Sequence, residues 1–419
     1  MISQNKNIKD IYFRPMKHIT RNSKLFPIIL ALFAALPPLA VNTYAPAIPL
    51  IASDFGVNNS TVLTTFATYF IGFSFGMLFW GAVSDKYGRK KVIVIGSVIY
   101  IVSTLLCSYS YNFKMLEIMR LIQGLSDSVG AIIALSIARD CYKGAKLTNL
   151  VASITIILLI APVVAPIIGT ILTQLTHTWQ STFHFLTIYG VVMLVCACLI
   201  EETLEHKDRK SSLIKLIPSY FQHLSNPRFI LATIASGTIF ATLFIFISSS
   251  ALIYLGDYAT GSLWYCIYYG LCCLGSILAN VIIKKNSHRV QQLKFLYYSV
   301  TLITLSCITL IVFNTLNLDN ALIYTLIMFV LCANVAFSST LIYSFAIEQI
   351  DHSFGTANSI VNFIRNMIAA AGSYIVSFYH GRNLVIASPY AQLGFALITV
   401  AILFGIYKLN QKVELQQPN

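Results

Sequence analysis

Charge is scarce in this chain, and negative charge is scarcer still. Only 10% of the 419 residues are charged, with 15 Asp and Glu against 28 Lys and Arg. Globular domains in water carry about 25%. With 57% apolar residues and a mean hydropathy of +0.75, a water-soluble protein is excluded, and no polar window is long enough to hold a separate soluble domain. Metal-ligating spacing is missing too. The nine Cys are scattered, none in a C-x2-C pattern, and Cys196/Cys198 is a C-x-C inside an apolar run. They read as small apolar packing residues, and no metal site is expected. There is no G-x-x-x-x-G-K-[ST], no H-E-x-x-H and no G-x-G-x-x-G. ATP is thereby excluded as an energy source, and neither catalysis nor a bound cofactor is expected. The first 24 residues are polar and basic, but the apolar run behind them is too long for a cleavable signal.

What the chain has in abundance is long apolar sequence. A bilayer span takes about 20 mostly apolar residues. Twelve such runs follow one another, near 25–50, 60–82, 91–110, 113–138, 148–174, 180–200, 228–253, 263–283, 293–313, 320–346, 356–378 and 388–408. The fold class predicted is an all-α membrane protein. With the N-terminus inside and the connections assigned alternately, the inner segments hold 24 of the 28 Lys and Arg. The outer segments hold two, Lys114 and Arg382, while Arg120 and Arg365 fall within helices. This bias puts both termini in the cytoplasm. It also accounts for the net charge of +13 with the lipid bilayer, and no nucleic acid, as partner. The one long polar interruption separates six helices from six. The organisation expected is a basic N-terminus over 1–24, a bundle over 25–200, a cytoplasmic linker over 201–227, a second bundle over 228–408 and a tail over 409–419. The basic loop KKNSHRVQQLK at 284–294 occupies the place in the second half that DKYGRKK has in the first, a weak internal repeat.

Ionisable groups inside spans are candidates for function. Arg120 lies about 10 Å in from Lys114 at a rise of about 1.5 Å per residue. Glu117 and Asp127, one and two turns away on the same face, are its candidate partners, in a buried ion pair or in a proton relay or substrate clamp. Arg365 lies about 14 Å in from the inner end of its helix. Asn334 and Asn362 are expected to pair across helices, and His184 to be interfacial. WYCIYYG at 264–270 fits an outer aromatic belt. Tyr44, Phe66, Tyr69, Phe70 and Phe73 fit core packing better than a wall for lipophilic cations. Pro37, Pro38, Pro46 and Pro49 in the first run, and Pro162, Pro166 and Gly169 in the fifth, bend their helices for packing or to border a cavity.

GAVSDKYGRK at 81–90 is a short basic loop held between two apolar runs. Gly81 and Gly88 permit a tight turn, and Asp85 can pair with a neighbouring Arg or accept from a helix N-terminus. The loop resembles the G-x-L-x-D-[RK]-x-G-R-[RK] between helices 2 and 3 of the major facilitator superfamily, departing only at Val83. RLIQG at 120–124 resembles the R-x-x-Q-G of helix 4 in that superfamily's proton-driven exporters. APVVAPIIGT at 161–170 resembles their helix 5 signature, YAPAIP at 44–49 a YLPALP that ends helix 1, EETL at 201–204 the end of the first half, and GTANS at 355–359 is the clearest piece of the second. Together these are similar to the Bcr/CflA-type multidrug efflux transporters.

The resemblance implies twelve helices in two six-helix bundles around a central cavity, alternating access, a small-molecule substrate, export driven by proton entry, and a monomer in a bacterial inner membrane. With these motifs and the charges within spans, the proton or substrate cavity is expected to be lined by Asn42, Tyr44, Arg120, Gln123, Asp127 and Arg365. Gly81, Asp85, Gly88, Arg89 and Lys90 would form a cytoplasmic gate that latches the halves together in one state, with positive-inside anchoring as the plainer reading. Pro162, Pro166 and Gly169 would shape helix 5. Three departures matter. Asn42 stands where the group has a proton-accepting Asp, and an amide does not titrate. Met77 replaces a Gln in helix 2. Asp127 is an added carboxylate in LSDSVG. One reading moves the proton site from helix 1 to Asp127 on helix 4. The other is an importer or exchanger of a polar metabolite, such as a siderophore or amino-acid derivative, with coupling altered or lost.

Overall fold

The computed structural model describes residues 23, 25–204, 222–286, 292–350, 354–379 and 383–414. Within them run twelve helices long and apolar enough to cross a membrane. They are α1 (Leu25–Phe55), α2 (Asn59–Tyr87), α3 (Arg89–Ser108), α4 (Phe113–Cys141), α5 (Asn149–Thr176), α6 (Gln180–Leu199), α7 (Pro227–Asp257), α8 (Ser262–Lys285), α9 (Leu293–Thr315), α10 (Ala321–Glu348), α11 (Gly355–Ser377) and α12 (Leu384–Leu409). Each coincides with one of the twelve apolar runs, and no strand occurs among the described residues. The basic N-terminus, 205–221 of the linker, the middle of the 284–294 loop, Arg382 and the end of the tail lie outside them.

The order of packing repeats. In the first half α1 packs on α4 and α5, α2 on α4, and α3 on α4 and α6. In the second, α7 packs on α10 and α11, α8 on α10, and α9 on α10 and α12. The halves meet along two seams, α2 with α11 and α5 with α8, which are equivalent pairs under the same repeat. Two parallel repeats related by an axis along the membrane normal have this arrangement.

Water supplies no hydrophobic drive between helices inside a bilayer, so close packing depends on small residues. A Cβ added at Gly72 of α2 would lie 1.9 Å from the Leu121 carbonyl oxygen, and one at Gly124 of α4 would lie 1.9 Å from the Tyr69 carbonyl oxygen. The two backbones are therefore in direct contact. Residues 72–76, GFSFG, fit the G-x-S-x-G spacing of hydrolase nucleophile elbows. They lie mid-helix instead of on a strand-to-helix turn, and the Ser74 hydroxyl donates to the Phe70 carbonyl at 2.6 Å. The pattern here is a G-x-x-x-G packing face.

Pro37 and Pro38 lie inside the first segment of α1. The helix breaks after Asn42, passes through a tight turn at Ala45–Ala47 and resumes at Ile48–Phe55. Gly169 of α5 sits against this break, where an added Cβ would be 2.1 Å from the Thr43 carbonyl oxygen. The fifth-helix glycine is thus required by the irregular backbone of α1.

Candidate functional site

A cavity of about 960 Å³ lies between the halves, a volume suited to a drug-sized molecule. Its walls come from α2, α4, α5, α7, α8, α10 and α11. They are mainly apolar, with Met77, Leu159, Phe240, Leu243 and Phe246 among them. Its mouth is bordered by Asp85, Arg89, Arg139, Asp140, Gly355 and Thr356, at the ends of α2, α4 and α11 and the start of α3. It therefore opens on the face that carries the 81–90 turn. Toward the other face the halves are in contact. The Phe70 and Phe244 rings stand 3.9 Å apart, centroid to centroid. The Ser373 hydroxyl donates to the Leu63 carbonyl at 3.3 Å, and the Tyr269 hydroxyl donates to Asn42 Oδ1 at 2.5 Å.

Of the six residues expected in the cavity, only Arg365 lines it. Asn42 is buried one layer behind the ceiling. Its Nδ2 donates to the Pro38 carbonyl one turn back at 2.8 Å. Its Oδ1 accepts from Tyr269, which does line the cavity. Tyr44, Arg120, Gln123 and Asp127 are fully buried inside the first bundle. The reason is rotational. These helices are apolar nearly all round, so periodicity does not reveal which face turns inward.

The buried cluster has a definite order. The Arg120 guanidinium donates to Gln123 Oε1 at 2.6 Å, and Gln123 Nε2 donates to the Thr104 hydroxyl at 2.9 Å. The same guanidinium stands 4.5 Å from the Tyr69 ring centroid and 4.7 Å from that of Tyr44, in cation–π range. The Tyr69 hydroxyl donates to Asp127 Oδ2. Arg120 and Asp127 are therefore linked through Tyr69, and the direct ion pair expected between Arg120 and Glu117 or Asp127 does not form. Glu117 is taken by Thr64 at 2.5 Å and Lys114 at 3.1 Å. Asp127 Oδ1 and two Arg120 nitrogens have no hydrogen-bond partner among the described residues. A buried carboxyl with one oxygen held and one free can take up or release a proton when water reaches it.

The 81–90 turn is built around Arg89. Its guanidinium pairs with Asp85 at 2.6 Å and Asp140 at 3.0 Å, and its backbone N–H donates to Glu202 at 2.9 Å. Lys90 donates to the Cys198 carbonyl at 2.8 Å. Gly88 has φ 98°, a conformation that glycine adopts without strain. Gly81 borders the cavity. The Arg89 and Lys90 contacts tie α2, α4 and the end of α6 together within the first half, and in this state they do not latch it to the second. In the helix 5 set, Pro162 lines the cavity, Pro166 lies within the helix, and Gly169 meets α1.

Several contributors escaped sequence reasoning. Asp140 and Glu202 complete the Arg89 site. Tyr269, placed in an outer belt, is buried at the cavity ceiling, and Tyr265 one turn away is buried too; within WYCIYYG the belt reading suits Trp264, which is 54% exposed. Asn334 and Asn362 do not pair across helices. They donate to carbonyls of their own helices, and Asn362 lines the cavity. The usable signals were the rarity of acids, which singled out Asp140, and the four-residue spacing of Tyr265 and Tyr269.

Comparison with known proteins agrees with this architecture. Residues 30–373 match the Major Facilitator Superfamily. The chain is 25% identical over 360 residues to a bicyclomycin resistance protein homolog of Haemophilus influenzae, covering 85% of this chain and 90% of that one. It is 33% identical over 172 residues to the multidrug resistance protein MdtL of Klebsiella pneumoniae, covering 40% and 43%. The structure of a D-xylose-proton symporter superposes with a TM-score of 0.70 at 12% identity, covering 90% and 97%, which is a likeness of fold. With twelve spans, two equivalent halves and a family match over most of its length, the chain is a membrane transporter of the Major Facilitator Superfamily.

Proposed function

We propose that the protein exports small amphiphilic compounds across a bacterial inner membrane by alternating access, as a monomer with both termini in the cytoplasm, and that proton entry drives it. The observation that carries this reading is the apolar-walled cavity between the halves, open on one face only. The relatives named for multidrug and bicyclomycin resistance support the substrate class. The charge bias supports the orientation, which makes the open face cytoplasmic and this state ready to load from inside. In the closed-inside state the 81–90 turn would latch to the second half.

The proton site in this reading is Asp127, with Tyr69 bonding it to α2 and Arg120 held against the Tyr69 ring. Asn42 holds the Tyr269 link on the closed face, so the residue that no longer titrates keeps a structural role. Two features support the move to α4: the free Oδ1 of Asp127, and its bond to Tyr69 on α2, which lies at a seam between the halves. One observation favours carriage of a polar metabolite instead, the Arg365 side chain inside the cavity. Expression in a bacterial host stripped of its own exporters tests the direction. Higher tolerance and lower accumulation of amphiphilic antibiotics are expected. Unchanged tolerance together with improved growth on a limiting nutrient would show an importer.

A further inference from the structure

The charges facing the cavity are unequally distributed in depth. At the mouth, its carboxylates Asp85 and Asp140 are both held by Arg89. Deep inside, Arg365 stands 4.0 Å from the Phe240 ring centroid. It makes no ion pair with a described residue, and its Nε is buried without a hydrogen-bond partner. Ser339 also lines the cavity with its hydroxyl buried and unpartnered. Along α11, Asn358, Asn362 and Arg365 follow at i, i+4 and i+7, one face of a helix, and all three line the cavity. Asn358 Oδ1 already accepts from the Tyr343 hydroxyl at 2.6 Å and from Asn362 Nδ2 at 2.8 Å. With that acceptor occupied, what the Asn358 amide has left to offer is its N–H donors.

A cavity-facing cation without a counter-charge is costly, and an unpaired guanidinium beside a buried, unpartnered hydroxyl and aromatic and aliphatic walls has a definite complement. We infer that the cavity takes amphiphilic organic anions, molecules with one carboxylate, sulfonate or phosphate and an apolar body. The anionic group would meet Arg365 and Ser339, and the body would lie on Phe240 and its apolar neighbours. This rests on the transport reading and narrows its substrate class. Lipophilic cations, for which this cavity holds no unpaired carboxylate among the described residues, are disfavoured.

The test is binding to the purified full-length protein in detergent and chloride-free buffer, using naphthalenesulfonate against naphthyltrimethylammonium, the same apolar body with opposite charge. The sulfonate is expected to bind more tightly. Arg365→Gln should weaken it about ten- to hundredfold, the range for a hydrogen bond to a charged group, and Arg365→Lys should restore part of the loss. Ser339→Ala should weaken it about two- to tenfold and serves if the Arg365 variants do not fold. Preference for the cation, binding of chloride alone, or a sulfonate affinity untouched by all these changes overturns the inference. Sulfonate binding without flux in vesicles would instead overturn the export reading and leave the anion site standing.

Discussion

Replacing Gly124 by Ala probes the contact on which the buried cluster depends. The added methyl would lie 1.9 Å from the Tyr69 carbonyl oxygen, 2.8 Å from its carbon and 3.1 Å from the Phe73 nitrogen. All three are main-chain atoms, so no side chain can swing aside. To reach even 3.0 Å from the oxygen, α2 and α4 must separate by about 1.1 Å. Overpacking of this kind costs about 1–3 kcal/mol. The separation acts on Tyr69 itself, whose ring lies against Arg120 and whose hydroxyl holds Asp127. Thermal unfolding in detergent should fall by several degrees, and proton-coupled flux should fall more than substrate binding does, because Gly124, Tyr69 and Phe73 do not line the cavity whereas Tyr69 holds Asp127. Gly394→Ala is the control. Nothing lies within 4 Å of an added Cβ there, and no loss of stability or flux is expected. Wild-type stability and coupling in Gly124→Ala would refute the close approach of α2 and α4 and its role in setting the cluster.

Two further predictions concern the two faces. Tyr269→Phe removes the hydroxyl that crosses to Asn42 at 2.5 Å. A hydrogen bond is worth about 1 kcal/mol net, so the balance between states should shift about fivefold toward opening of the closed face. Labelling of a cysteine placed at that face would report the change, and unchanged labelling would discount the link. Arg89→Gln leaves Asp85 and Asp140 facing each other without their shared cation. Both are partly exposed, at 26% and 19%, so the expected loss is about 1–3 kcal/mol, below the about 3–5 kcal/mol of a fully buried pair. Chemical denaturation of the purified protein measures it, and Asp140→Asn in the same chain should recover part of the loss.

The architecture was legible because the bilayer imposes it. Twelve runs of the required length and a one-sided distribution of Lys and Arg leave little choice of fold, and Gly81, Asp85, Gly88 and Arg89 stand close together in sequence as they do in space. The interior was less legible. Arg120 invited an acidic partner one or two turns away, yet Glu117 is bound to Thr64 and Lys114, and Asp127 is bound to Tyr69 from another helix. Which of several polar groups on apolar helices meets the cavity depends on helix rotation. That rotation is set by contacts such as Gly72 with Leu121 and Gly169 with Thr43, between residues far apart in the chain. Arg365 faces the cavity and Asn42 does not; α11 carries Asn358 and Asn362 on the face of Arg365, a polar stripe that the more apolar α1 lacks.

The central claim is proton-driven export with Asp127 as the proton carrier. Substrate flux in inverted membrane vesicles, with and without an imposed proton gradient, tests it for the parent and for Asp127→Asn. Gradient-dependent accumulation that the variant loses while still binding substrate is the predicted result. Accumulation that ignores the gradient, or that persists undiminished in Asp127→Asn, would contradict the account.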